Sequence, residues 1–329
     1  MATKPKITFA TNPNPRNRAL IDGLIPVDGY DLEYVGDKYS PGEMHYRFVQ
    51  GEFDVAEMST ATLMRAKEKG KRFLALPIFF QRGPRQRNIF HCGGKVNHPS
   101  ELKGKQIGAF RYGATAVSWA RGYLLDEHGI KTTDVGWFVS GQEVYIGNEL
   151  PVKVERLDPP PPFGQEKSHL SRLLSEGKLG AALVAGDSGY TGLFGGGSLP
   201  GAMGQYPGVK PLFDDTEEIV RYVKRTQIYP IIHIMAINEN TVEKYPDLST
   251  KVIEAFREAN RLAPKYMTAA QAEGYAKERN VLGYDPYAGV LTESDKKSLQ
   301  ALNRYQIEQG LVKKELPLKS LFVKEAFTM

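Results

Sequence analysis

The chain has 329 residues, 41% of them hydrophobic and 25% charged, with 43 Lys and Arg against 38 Asp and Glu for a net charge of +5. This is the composition of an ordinary globular protein long enough for two hydrophobic cores; it gives no sign of disorder, and its short basic cluster RAKEKGKR (65–72) reads as a solvated helix face, not a nucleic-acid surface. The single cysteine, Cys92, excludes an internal disulfide and any multi-cysteine metal cluster, and the six histidines form no HExxH or HxH pair.

The N-terminal MATKPKITFATNPNP enters a strand within six residues without an apolar leader, and no run approaches a membrane span, so a cytoplasmic protein with no membrane partner is expected. KITFAT (6–11), YDLEYV (30–35) and FDVAEMS (53–59) read as strands. PGEMHYRFVQGEF reads as a helix ended by Gly51, and STATLMRAKEKG as a helix opened by Ser59 or Thr60 and ended by Gly70. This alternation predicts a parallel sheet.

After the apolar runs FLALPIFF and NIFHC the pattern restarts. HPSELKGKQIGAF gives a short helix, a turn and a strand at 106–110, and a helix follows from about 114 to 128, closed by Gly129. GWFVS and VKVERL read as strands, KSHLSRLLSEG as a helix and GAALVA as a strand. The stretch KRTQIYPIIHIMAIN (224–238) then supplies a strand at 229–237, and helices follow in LSTKVIEAFREANRLAPKYM and SDKKSLQALNRYQIEQG. The expectation is an α/β fold of two lobes, each a mixed, mostly parallel sheet flanked by helices. Residues 1–94 plus 231–329 form the first lobe and 95–230 the inserted second, with a hinge and a ligand cleft between them.

Two stretches are irregular. DPPPPF (158–163) is a stiff extended loop, and GDSGYTGLFGGGSLPGAMG (186–204), with eight glycines, is either a surface loop or a mobile cover over the cleft. No P-loop or G-x-G-x-x-G fingerprint occurs in the chain.

Ligands of open α/β sheets sit beyond the carboxyl ends of strands, which nominates Thr11 and Asn12, Glu57 and Ser59, Arg111 and Tyr112, and Asp187 and Ser188. In GAFRYGAT, Arg111 stands in a strand-to-helix turn that either binds an anion or leaves the arginine in solvent. QRGPRQRN packs Arg82, Arg85 and Arg87 between two apolar runs, as a two-point grip on a dicarboxylate or as a charged turn. With no nucleophile elbow and Cys92 reading as a small buried residue, acid–base chemistry remains, and His233 and Glu57 are the best-placed groups for it. A strand-embedded His233 is either structural or faces the cleft.

HYRFVQGEFDVAEMSTATLMRAKEKGKRFLALPIF, HPSELKGKQIGAF, AVSWARGYLLDEHGI, KRTQIYPIIHIMAI and LNRYQIEQGLVKKELPLKSLF resemble, in order, the 4,5-dihydroxyphthalate decarboxylase family over most of the chain. FDVAEMS, RTQIYPIIH and YQIEQGL are the most specific parts, whereas LKGKQIG also occurs in many solute-binding proteins. The resemblance implies a type II periplasmic-binding-protein-like fold. It also implies decarboxylation of a hydroxylated aromatic (di)carboxylate, such as 4,5-dihydroxyphthalate to protocatechuate and CO2, by ring-carbon protonation and without nucleotide, flavin or pyridoxal. A divalent metal is left open.

Carried onto matching positions, the resemblance makes His233 and Glu57 catalytic. Arg82, Arg85, Ser59 and Tyr229 become substrate contacts, Trp119 and Arg121 matching positions, and the strand-end rule adds Arg111, Tyr112 and Asn12. The expected partner is a small aromatic carboxylate, and apolar strands and C-terminal helices offer surface for a homo-oligomer. The chain departs from the family pattern at Gln86, where a histidine is usual, near Arg111, where an acidic residue is usual, and in its glycine-rich loop; those changes leave a different aromatic acid open as the substrate. The alternative is a solute-binding protein feeding an aromatic acid or similar anion to an ABC-type transporter. A ligand sensor or biosynthetic relative on the same fold is a third reading.

Overall fold

The computed structural model describes residues 3–143, 147–150, 152–156, 159, 161, 165–185, 193 and 202–328. Most of the proline run and of the glycine-rich stretch, with Asp187 and Ser188, lies outside the described residues. In chain order the first sheet draws on β1 (Lys6–Ala10), α1 (Arg18–Ile21), β2 (Asp31–Tyr34), α2 (Pro41–Val49), β3 (Val55–Ser59), α3 (Thr60–Glu68) and β4 (Phe73–Arg82). The chain then crosses to β5 (Ile89–Cys92), β6 (Gln106–Ala109), α4 (Thr115–His128), β7 (Gly136–Val139), β8 (Val154–Arg156), α5 (Glu166–Ser175), β9 (Ala181–Leu183), β10 (Val209–Pro211) and α6 (Thr216–Thr226). It returns through β11 (Ile231–Asn238) and closes with α7 (Glu239–Lys244), α8 (Leu248–Leu262), α9 (Ala269–Leu282), α10 (Glu293–Glu308) and α11 (Leu318–Leu321).

Among the described residues the strands form two sheets, ordered β2-β1-β3-β11-β4 and β10-β5-β9-β6-β7-β8. Strand β5 belongs to the second sheet, pairing antiparallel with β9 and β10, so the first crossing lies between Arg82 and Ile89 and not after residue 94. Both sheets are mixed. In the first, β1 runs parallel to β2 and β3, whereas the returning β11 is antiparallel to β3 and β4, because it enters from the opposite end after the second lobe. No helix of the described residues is long and apolar enough to cross a membrane.

Local chemistry accounts for the elements that carry the cleft. Helix α2 starts at a reciprocal capping box between Ser40 and Glu43 with Pro41 at its first position, which fixes its N-terminus beside the cleft. Every residue of β3 is buried, and the β-branched Ile231, Ile232, Ile234 and Ile237 of β11 lie beside it in the core. Each such side chain contributes about 1.5–3 kcal/mol on burial. Gly122 of α4 admits Tyr305 of α10, since a Cβ there would meet the Tyr305 ring at 2.4 Å. That close approach seats a second-lobe helix on the C-terminal helices.

The two crossings are locked together by Arg82. Its guanidinium donates to the carbonyls of Tyr229 at 3.0 Å and Pro286 at 2.8 Å and lies 2.6 Å from Asp295 of α10, with both side chains buried. Gly83 N–H donates to Pro230 O at 3.0 Å beside it. Burial opposes the Arg82 charge most strongly, but Asp295 together with Tyr284, Tyr287 and Tyr229 outweighs it and raises the guanidinium pKa. Removing one partner of such a pair costs about 3–5 kcal/mol, because the other charge is left buried alone. Arg82→Met should therefore lose stability of that order in urea unfolding, and Arg82→Met/Asp295→Leu should recover part of it; an unchanged midpoint for the single variant would contradict the clamp.

Candidate active site

Three adjacent strands converge on one carboxylate. Glu57 of β3 is 1% exposed, and its Oε2 accepts the Thr11 hydroxyl at 2.8 Å and the Asn12 N–H at 2.9 Å, both just past β1. Its Oε1 lies 2.6 Å from Nδ1 of His233 in β11. The register explains the meeting. His233 pairs with Ser59 and Met235 with Glu57, so Glu57 and His233 are diagonal neighbours on one face of the antiparallel pair. Pairing of β11 with β4 is irregular from Ile231 to Ala236, a local distortion of the kind that re-aims side chains.

Burial pushes the Glu57 carboxyl up, but the His233 hydrogen bond and charge and the Asn12 N–H together hold it below the usual carboxylate range. An ionised Glu57 makes His233 Nδ1 the donor and leaves Nε2 for a ligand. The support is stiff: Asn17 Nδ2 donates to the Thr11 hydroxyl at 3.1 Å, and a Cβ on Gly36 would lie 2.2 Å from Thr11 O. Only glycine lets the chain pass there.

His233 and Glu57 line a cavity of about 320 Å³ with Asn12, Pro13, Asn14, Pro15, Arg16, Pro41, Phe80, Gln81, Met267, Gln271 and Tyr287. That volume and mixed lining suit a small aromatic ligand. His45 of α2 stands edge-on to His233, ring centroids 5.0 Å apart at 89°, and its Nε2 has no hydrogen-bond partner. Burial first, and the neighbouring His233 and Arg111 next, push His45 down to about 3 against the pull of Glu57, so it is a neutral ring packed behind His233. A larger cleft of about 730 Å³ begins one residue either side of Pro41, at Ser40 and Gly42, and is lined across the lobes by Arg111, Glu143 and Glu166. The His233–Glu57 pair belongs to the smaller cavity.

No family model matches the chain. A 4,5-dihydroxyphthalate decarboxylase of Comamonas testosteroni is 27% identical over 272 residues, covering 79% of this chain and 76% of that protein. A second, from Pseudomonas putida, is 30% identical over 188 residues, 55% of this chain and 70% of that protein. The chain belongs to the 4,5-dihydroxyphthalate decarboxylase family. It is accordingly an enzyme of the carboxy-lyase class.

Solved structures place this decarboxylase-family chain in the type II periplasmic-binding-protein-like fold. The aliphatic sulphonate binding protein SsuA of Escherichia coli superimposes with a TM-score of 0.60 at 14% identity, over 98% of this chain and 93% of that one. The desulfurization enzyme DSZB gives 0.56 at 12% identity, over 99% and 98%.

Within this family member the structure brings together His233, Glu57 and Asn12 and disperses the other expected site residues. Arg82 is consumed by the Asp295 clamp and cannot grip a substrate. Arg85 is 4% exposed and borders neither cavity; Nη1 reaches Asn88 Oδ1 at 3.4 Å, Nε and Nη2 have no partner, and burial pushes it down to about 10. Tyr229 is buried, its hydroxyl donating to Glu278 at 2.5 Å. Ser59 bonds Thr115 Oγ1 at 2.8 Å across the lobes, and Trp119 Nε1 donates to Ile231 O at 3.2 Å; Arg121 is held by Gln309. All three are structural ties.

Arg111 lines the larger cleft, 3.7 Å from Glu166, while Tyr112 is fully buried against Trp137. The anion-binding turn they mark is taken by the chain's own Glu143, which accepts the Tyr112 and Gly113 N–H groups at 2.5 and 3.0 Å. Sequence reasoning missed Arg16, His45, Gln81 and Tyr287. Only His45 had a local signal, a histidine on the apolar face of an amphipathic helix.

His45 binds its proton near 6.5 when unfolded and near 3 when folded, so falling pH favours the unfolded chain across that window. The stability gap between wild type and His45→Phe should shift in favour of the variant by a few kcal/mol, order of magnitude, from neutral pH toward the acid limb. Parallel pH curves in urea unfolding would show that His45 titrates normally.

Proposed function

We propose that this protein removes CO2 from a hydroxylated aromatic dicarboxylate of the 4,5-dihydroxyphthalate type, leaving the ring carbon protonated. The observation that carries the reading is His233, held through Nδ1 by the buried Glu57 with Nε2 left for the cavity that both residues line. In 4,5-dihydroxyphthalate each carboxylate has a hydroxyl para to it. That hydroxyl raises electron density at the carboxyl-bearing carbon, the imidazolium Nε2–H delivers its proton to that carbon, and a new C–H bond forms as aromaticity is suspended. The C–C bond then breaks, its electron pair returns to the ring, and CO2 leaves; the imidazole takes a proton back from solvent.

Glu57 contributes by stabilising the imidazolium, since both of its oxygens are already engaged. It does not bind the substrate hydroxyl directly. Phe80 and Tyr287 supply apolar walls for the ring, and Asn12, Gln81 and Gln271 supply polar partners for hydroxyls and carboxylate.

A second reading is supported by the fold shared with sulphonate-binding proteins: binding of an aromatic acid without turnover. Incubation with 4,5-dihydroxyphthalate, with and without a chelator, separates the two. Protocatechuate and CO2 are the expected products, and folded His233→Gln should lose at least about 100-fold in kcat, the usual contribution of a positioned acid. Saturable binding without product would favour the second reading, and full activity in His233→Gln would remove the histidine from the mechanism.

A further inference from the structure

A dicarboxylate presents two anionic groups, and only one departs. Among the described residues lining the cavity, formal charge is carried by Arg16, Glu57 and His233, and Glu57 is already committed to His233. Arg16 is therefore the permanent cation of that wall. Its guanidinium lies over the Tyr287 ring, 3.4 Å from the centroid, and 5.3 Å from that of Tyr275, so two aromatic faces fix its plane.

The loop that holds it is stiff. Pro13 and Pro15 flank Asn14, whose side-chain carbonyl accepts the Arg16 N–H at 2.9 Å, while Asn17 Oδ1 accepts the Asn14 N–H at 2.8 Å. This loop also supplies the Asn12 N–H to Glu57, so guanidinium and proton donor are positioned by one piece of backbone.

We infer that Arg16 binds the carboxylate that stays on the ring and thereby selects aromatic acids with a second, non-departing carboxylate. The inference rests on the decarboxylase reading of the same cavity. The assignment follows from charge flow. A carboxylate leaving as CO2 loses its negative charge, so a guanidinium on it would stabilise the ground state more than the transition state and slow the reaction. The remaining carboxylate keeps its charge throughout, and a planar fork can hold it without opposing the chemistry.

The test uses unreactive ligands first: calorimetric titration of wild type, Arg16→Gln and Arg16→Lys with phthalate and with benzoate. Wild type should prefer phthalate by about 10- to 100-fold, the worth of a charge-assisted contact, and Arg16→Gln should bring the two acids to near-equal affinity. Arg16→Lys keeps the charge without the fork and should retain part of the preference, which covers the case in which Arg16→Gln fails to fold. In turnover, either variant should raise KM for 4,5-dihydroxyphthalate more than it lowers kcat.

Equal affinity of wild type for the two acids, or an undiminished phthalate preference in the variants, would overturn the assignment. So would an equal loss of both ligands, which marks general damage to the cavity. Because binding of phthalate needs no turnover, the two readings fail separately. A preference that depends on Arg16 in a protein that releases no CO2 would sink the reaction and keep the subsite, whereas turnover with KM untouched in Arg16→Lys would do the reverse.

Discussion

A carboxylate that is 1% exposed must be satisfied from within the protein, and Glu57 of β3 is satisfied by groups from the two strands that flank it, Thr11 and Asn12 just past β1 and His233 of β11. The penalty for leaving a charge buried without partners is several kcal/mol, far more than a single surface contact returns. The constraint works outward. It fixes the end of β1 through Thr11 and Asn12, sets which face of β11 carries His233, and orients the imidazole so that its second nitrogen is left for a ligand. The geometry of the His233–Glu57 pair is a consequence of satisfying one buried charge.

The second lobe is held against that arrangement by ordinary structural contacts. Ser59 meets Thr115, Trp119 reaches the carbonyl of Ile231, and Arg82 ties both crossings to α10. The turn that leads into α4 has two N–H groups, those of Tyr112 and Gly113, of the kind that hold an external anion, and here Glu143 occupies both. The polar chemistry therefore gathers in the first lobe, around the ends of β1 and β3 and the middle of β11.

Much of this was legible in the sequence because it depends on local pattern. The apolar, β-branched run around His233 announced a central strand, and the alternation of strand and helix announced two α/β lobes. Glu57 and Asn12 stood at strand ends, where site residues gather. What misled was the arginine cluster. A guanidinium in a turn between apolar strands reads the same whether it faces a cleft or a buried aspartate, and Asp295 lies 213 positions away from Arg82, beyond any periodic signal. Strand β5 belongs to the second sheet and not to the first lobe that its position before residue 94 suggests, because composition gives the strand and not its partners. Arg16 escaped notice because its value comes from Tyr287 and Tyr275, which only the folded chain brings to it.

Glu57, holding Nδ1 of His233 inward, should leave Nε2 as the nitrogen that meets the ligand. Nitrogen-15 NMR of the histidine-labelled protein, titrated with phthalate, tests it directly. The expected result is a protonated Nδ1 in the His233 ring that stays nearly constant while Nε2 shifts with ligand, and loss of that pattern in Glu57→Gln. A His233 ring that ignores the ligand, or one whose Nδ1 responds instead, would contradict it.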